Sequence, residues 1–427
     1  MKRITFLFLM FLCVHTYVVA STFVRISGNQ FLRNGKPYYF IGTNYWYGPI
    51  LGSEGEGGDR VRLCRELDSL KVQGLDNLRI LVGPDAGSVH ANSVWPVLQQ
   101  DDGTLNDTLL GGLDFLLAEM GKREMLAVIY LTNSWDWSGG YGSYLRRSGL
   151  GDSPNASGEG YNEYVKYASQ FSLNKGAQEM YWTFVEKIIS RTNRFTQVKY
   201  VDDPTIMSWQ LCNEPRPFSK EAKEPFAAWL CESAARIKKM DKNHLVSTGS
   251  EGLYGCESDE ELCERIHRDD NIDYLTVHIW PYNWKWVDKT RLVDDLPHSF
   301  MKTQWYIDLH TRMARGIGKP FVIEEFGYPR DRFSFSPGSS STCRDSYFTY
   351  VMNAVLKSAG RGGYLAGCNF WGWGGEAEPV HERWEKGDPY VCDPPHEPQG
   401  WYSVFQKDTS TREVIRSFVH QIDSICN

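Results

Sequence analysis

The chain has 427 residues, 23% of them charged and 14% aromatic, and a formal net charge of −7 with neither a basic block nor a Lys/Arg stripe. That balance excludes a nucleic-acid partner on electrostatic grounds. The length exceeds the usual single-domain range but fits a barrel with insertions.

The first expected element is a secretory signal. Lys2 and Arg3 precede an apolar run from Ile4 to Val14, and Val18-Val19-Ala20 offers small residues for cleavage before Ser21. Residues 1–20 are read as the signal and 21–427 as one catalytic domain, whose net charge is −9 once Lys2 and Arg3 are gone. No other apolar run approaches the ~20 residues of a membrane span. The expected location is extracellular, with no membrane contact after cleavage.

Next come Phe23 to Phe40, a hairpin pattern turning at Asn34-Gly35. Eight short apolar runs follow: Tyr39–Trp46, Leu75–Val82, Leu126–Asn133, Ile206–Asn213, His244–Gly249, Tyr274–Trp280, Phe321–Glu325 and Gly367–Trp373. Amphipathic stretches such as Gln178–Thr192 and Lys223–Met240 lie between them. Strands apolar on both faces and alternating with helices imply a parallel sheet, and eight units imply an α/β (β/α)₈ TIM barrel with loop insertions.

In such a barrel the C-terminal strand ends build the active site. These ends carry Asn44-Tyr45-Trp46, Arg79, Asn133 with Trp135, Asn213-Glu214, Glu251, His278 with Trp280, Glu325, and Trp371 with Trp373. Each alone has an ordinary explanation, an ion pair for an Arg or the core for a Trp; their convergence on one rim does not. The 15 Trp and 23 Tyr then suit a groove that stacks on sugar rings. Two carboxylates across a barrel mouth suit glycosidic cleavage, one donating a proton and the other attacking carbon or activating water. Glu214 and Glu325 end the fourth and seventh runs. Glu324 and Glu325 are adjacent, and strand alternation sends them to opposite faces, so one of them points into the mouth and periodicity does not say which. Glu251 is a third candidate, in a Gly-rich loop that could place it in solvent.

Ten cysteines suit an exported chain; with Cys13 in the signal, nine remain, an odd number. Cys256 with Cys263 is the best local disulfide pair and Cys343 with Cys392 a weaker one, whereas Cys212 reads as a buried thiol. No Cys/His set has zinc spacing. Asn106-Asp107-Thr108 and Asn155-Ala156-Ser157 are glycosylation acceptor patterns.

Several segments resemble glycoside hydrolase family 5, and more narrowly the endo-β-1,4-mannanases of its subfamily 7. They are DDPTIMSWQLCNEPRP (202–217), YLTVHIWPYNW (274–284), KPFVIEEFGYPR (319–330), GCNFWGWGG (367–375) and DPPHEPQGWYSVF (393–405), with weaker matches at NYWYG (44–48), GLDNLRI (74–80) and NSWDWSGG (133–140). The resemblance implies Glu214 as acid/base and Glu325 as nucleophile. It implies Asn213 and His278 as ligands of the sugar at the cleaved bond, Arg79 as counter-charge to the nucleophile, and Trp371 as platform beneath that sugar. Trp135 would belong to the substrate cleft and Arg216 to its leaving-group side. The family often has Tyr two residues after the strand-six His. Trp280 stands there instead, and an indole N–H only donates. The expected activity is a secreted, retaining endo-β-1,4-mannanase acting as a monomer on β-mannan polysaccharide, without metal or cofactor. A β-1,4-glucanase, an exo-β-mannosidase and a non-catalytic carbohydrate-binding barrel are the alternatives.

Overall fold

Asn34 and Gly35, at φ 53° and 79°, make the first hairpin turn. Two successive left-handed residues give the twist that antiparallel strands require. They join β2 (Gln30–Arg33) to β3 (Lys36–Tyr38), and β1 (Arg25–Ser27) pairs with the other edge of β2. The expected hairpin is therefore a three-stranded meander. This computed structural model describes residues 23–86, 93–157 and 160–426; the expected signal lies outside them.

Eight parallel strands follow: β4 (Phe40–Asn44), β5 (Asn77–Leu81), β6 (Leu126–Tyr130), β7 (Ile206–Gln210), β8 (Leu245–Ser247), β9 (Leu275–Ile279), β10 (Phe321–Phe326) and β11 (Leu365–Phe370). Each overlaps one of the eight expected runs. Their order is sequential around the sheet, with β11 beside β4, and a parallel bridge from Ser247 to Tyr274 joins β8 to β9. The architecture is the (β/α)₈ barrel. The helix Lys223–Met240 stands where periodicity places it. The helix expected over Gln178–Thr192 is Lys175–Ile189, because Asn174 caps it by accepting from Ala177 N at 3.0 Å. Among the described residues no helix is long and apolar enough to cross a membrane.

The barrel interior contains a polar layer that positions the site. Asn369 Nδ2 donates to Asn77 Oδ1 at 3.1 Å, and Gln210 Nε2 donates to Ser247 Oγ at 3.0 Å and to Glu324 at 2.7 Å. Gly42 makes room for this layer, since a Cβ there would lie 2.2 Å from Asn77 O. The register of β10 on β9 slips between Ile323, opposite Val277, and Glu325, opposite His278. Two residues thus face one, a β-bulge that bends the strand and re-aims its side chains.

Candidate active site

That bulge overturns the expectation that Glu324 and Glu325 face opposite ways. Both are buried, and both reach Arg79, which is buried on β5. Arg79 Nη1 donates to Glu325 Oε1 at 2.5 Å, and its Nε lies 3.7 Å from Glu324 Oε2. The guanidinium also donates to Gln210 Oε1 (2.8 Å), Asn44 Oδ1 (3.1 Å) and Asn213 Oδ1 (2.8 Å), and rests over the Tyr130 ring at 4.4 Å. One cation therefore fixes amides or carboxylates from three other strand ends, those of β4, β7 and β10.

The two glutamates are shifted in opposite directions. Burial alone would raise the pKa of Glu325, but His278 and Arg79 outweigh it and hold the carboxyl below its ordinary value. For Glu324 burial wins, and its pKa is raised. Glu325 is thus the more readily ionised of the pair, the property a nucleophile requires.

Glu214 follows the last bonds of the fourth strand. Asn213 N donates to Thr132 O (2.8 Å), Glu214 N donates to Gly249 O (2.9 Å), and Ser134 Oγ donates to Glu214 O (2.6 Å). These bonds hold Glu214 at φ 49°, a left-handed backbone unusual outside glycine. Such strain costs of order 1–3 kcal/mol and persists where surrounding bonds over-determine it. Its carboxylate accepts from Trp135 Nε1 at 2.6 Å and faces His278 Nδ1 at 2.8 Å.

His278 Nδ1 also lies 3.3 Å from Glu325 Oε2. The ring therefore bridges both carboxylates. Burial would lower its pKa, but Glu325 and Glu214 prevail and hold it at about 9. One atom each of Glu214, His278 and Glu325 lie within 4.8 Å of one another, a set that could also ligate a metal ion. The raised pKa of His278 favours a proton on the ring, on the nitrogen that faces both carboxylates.

Trp280 Nε1 donates to Glu325 Oε2 at 3.2 Å, so the indole supplies the donor that the unusual residue at this position could make. Trp280→Phe removes a hydrogen bond to a charged group, of the kind worth about 1.5–3 kcal/mol. We expect kcat/KM to fall roughly 10- to 100-fold. Losing a donor to the ionised form raises the pKa of Glu325, so the acid limb of the pH profile should move to higher pH. An unchanged limb would show that the indole does not govern the Glu325 carboxyl.

These groups open into a pocket of about 700 Å³ lined by Trp135, Asn213, Glu214, Arg216, Glu251, Trp280, Glu325 and Trp371, among others. Trp371 meets Trp280 edge to face, with centroids 6.2 Å apart. Glu251 is not in solvent. It is buried, and Arg216 Nε donates to it at 2.5 Å, while the Arg216 guanidinium lies 5.7 Å from the centre of the Trp135 ring. Trp373 is buried away from this lining. Cys212 is a buried thiol as expected, whereas Cys256, Cys263, Cys343 and Cys392, expected in two disulfides, are also free thiols in the structure.

Sequence reasoning missed the rest of the wall. Asn283, Arg383, His396, Glu397 and Trp401 also line the pocket. Asp393 clamps this last segment by accepting from Gly400 N (2.8 Å) and Tyr402 N (2.7 Å), and Tyr402 Oη donates to Asn283 Oδ1 at 2.8 Å. Burial, then the charges of Asp393, Glu325 and Glu214, push the Glu397 carboxyl far above its ordinary pKa. The segment was legible only as a motif, since it belongs to neither a strand nor a helix.

A family model described as glycoside hydrolase family 5, β-mannosidase-like, matches residues 21–427. The chain is 30% identical over 367 residues to mannan endo-1,4-β-mannosidase 7 of Arabidopsis thaliana, which covers 82% of this chain and 77% of that one. It is 30% identical over 363 residues to mannan endo-1,4-β-mannosidase 1 of Oryza sativa subsp. japonica, covering 82% and 78%. A crystal structure of a glycoside hydrolase family 5 mannosidase from Rhizomucor miehei matches with a TM-score of 0.88 and 33% identity, covering 95% of this chain and 99% of that chain.

Proposed function

The chain belongs to glycoside hydrolase family 5, and from that premise we propose that it is an exported, retaining endo-β-1,4-mannanase. Its substrates are mannan, glucomannan or galactomannan backbones. The relatives named as mannan endo-1,4-β-mannosidases support the polymer. The observation that carries the mechanism is the close approach of the two carboxylates, with an oxygen of each within 4.8 Å of the other. Retaining pairs stand about 5–5.5 Å apart, whereas inverting pairs leave roughly 6.5–9.5 Å for a water.

Glu325, ionised beside Arg79 and His278, attacks the anomeric carbon. Glu214 protonates the leaving oxygen, and the C–O bond breaks to give a glycosyl-enzyme ester. Glu214 then takes a proton from water, whose oxygen displaces Glu325 and restores the original configuration. Asn213, held by Arg79 through its Oδ1 and by Asn133 through its Nδ2 (3.2 Å), sits where it can bind a sugar hydroxyl. Trp371 forms the platform, and Trp135 with Arg216 lines the leaving-group side.

A second reading, removal of single sugars from chain ends, is favoured by the wall of residues 383–401 around the pocket. Product analysis on mannan, glucomannan, galactomannan and carboxymethylcellulose decides. Mannan oligomers of mixed length support the endo reading, and mannose alone supports the exo reading. Absence of turnover on every mannan would sink both, and a product of inverted configuration would sink double displacement.

A further inference from the structure

Away from the catalytic groups, the segment that carries Glu251 leads to a pair of cysteines the reaction does not use. Cys256 ends the 3₁₀ turn Tyr254–Cys256, and Cys263 lies one turn into the helix Glu260–His267. Asp259 ties the two together. Its N–H donates to Cys256 O and its carbonyl accepts from Cys263 N, both at 3.1 Å, while its side chain caps the helix by accepting from Leu262 N at 3.0 Å. Glu257 and Ser258 between them take left-handed backbone, which folds the connection back on itself. Both are buried free thiols in this structure, and each is the first cause of the other's shifted titration. By contrast, the groups that act on Cys212, Cys231, Cys343 and Cys392 are tyrosine, carboxylate and arginine or lysine side chains.

The surroundings also supply an attacking sulfur. Cys263 Sγ lies 3.9 Å from His267 Nδ1. The neighbouring Cys256 and the His267 imidazole outweigh burial and hold the Cys263 thiol well below its ordinary pKa, whereas Cys256 is raised. A depressed thiol beside a protonated one is the arrangement for exchange, because the thiolate is the nucleophile.

We infer that Cys256 and Cys263 are joined by a disulfide in the mature protein, formed by exchange with a glutathione-type disulfide, and that the other seven cysteines remain thiols. The Cys263 thiolate attacks one sulfur of the small disulfide, whose S–S bond breaks and releases one glutathione thiolate. Cys256 then loses its proton, its sulfur attacks Cys263 of the mixed disulfide, and a second glutathione leaves. Two thiols are oxidised and one disulfide is reduced. Since both sulfurs are buried in the folded chain, exchange takes place as the Glu257–Ser258 connection opens, with Cys263 still one helical turn from His267 on Glu260–His267. The bridge ties down the far end of the segment beginning at Glu251, whose carbonyl accepts from Tyr306 Oη at 2.6 Å; two residues on, Leu253 N donates to His310 Nε2 at 3.0 Å. The inference rests on the proposed export and not on the substrate.

The test is a thiol map of the full-length protein made in a secreting host. It is denatured without reductant, alkylated with iodoacetamide and digested. The expected peptide spanning residues 243–265 is unalkylated and lighter by two hydrogens, and the other seven cysteines are alkylated. Alkylation of both Cys256 and Cys263, persisting after refolding with oxidised glutathione, overturns the proposal, as does either cysteine linked elsewhere. In a second measurement, dithiothreitol should lower the wild-type Tm by several degrees and leave that of the Cys256→Ser/Cys263→Ser double variant unchanged. An equal shift in both would overturn it too. Neither readout depends on turnover, so an inactive protein with this bridge would sink only the proposed function.

Discussion

Glu325→Ala should lower kcat by roughly 10⁴-fold or more, the scale of loss when a covalent nucleophile is removed, while binding of mannan oligosaccharides is retained. The bond from Arg79 Nη1 at 2.5 Å and that from Trp280 Nε1 at 3.2 Å aim this carboxylate into the pocket. The comparison with Glu324→Ala makes the test specific. Glu324 accepts from Gln210 and lies within reach of Arg79, but it does not line the pocket. Its removal unpairs a buried amide and should cost about 1–3 kcal/mol of stability, with a smaller loss of kcat. Turnover and oligosaccharide binding of the two variants, measured side by side, give the answer. If Glu324→Ala is the inactive one, the assignment along β10 is wrong.

That assignment shows where the sequence stops being informative. Alternation along a regular strand separates neighbours to opposite faces, and from Phe321 to Phe326 nothing in composition signals a bulge. The bulge is a register relation between two strands, visible only when β9 lies beside β10. The barrel itself was legible because each strand is a local apolar run and each helix a local period. Asn213 and Glu214 were legible because polar groups ending an apolar strand conflict with burial. Gln210 carries the same signal one turn of the pleat earlier. It was passed over, although it links Arg79 to Glu324. The wall from Arg383 to Trp401 was hardest to read. Its shape comes from Asp393 accepting from backbone N–H groups seven and nine residues away, and no periodicity encodes such a clamp.

Arg79→Met should be the most destabilising change at the site. It removes the cation shared by Glu324 and Glu325 and unpairs Gln210, Asn44 and Asn213 at once. Breaking one partner out of a buried ion pair costs about 3–5 kcal/mol, and urea unfolding should show a loss of that size. The pH dependence identifies the cause. In the wild type the Glu325 pKa is depressed from 4.5. Its contribution is therefore present above that value and lost as pH falls through the folded one. Without Arg79 the arginine's share of that depression disappears, and burial raises Glu324 further. A raised carboxyl contributes stability only while protonated and loses it as pH rises. The gap between variant and wild type should accordingly be wider at pH 7 than at pH 4. A gap of the same size at both values would mean that Arg79 supports the barrel by packing alone, and the ionised state of Glu325 would then have to rest on His278 and Trp280.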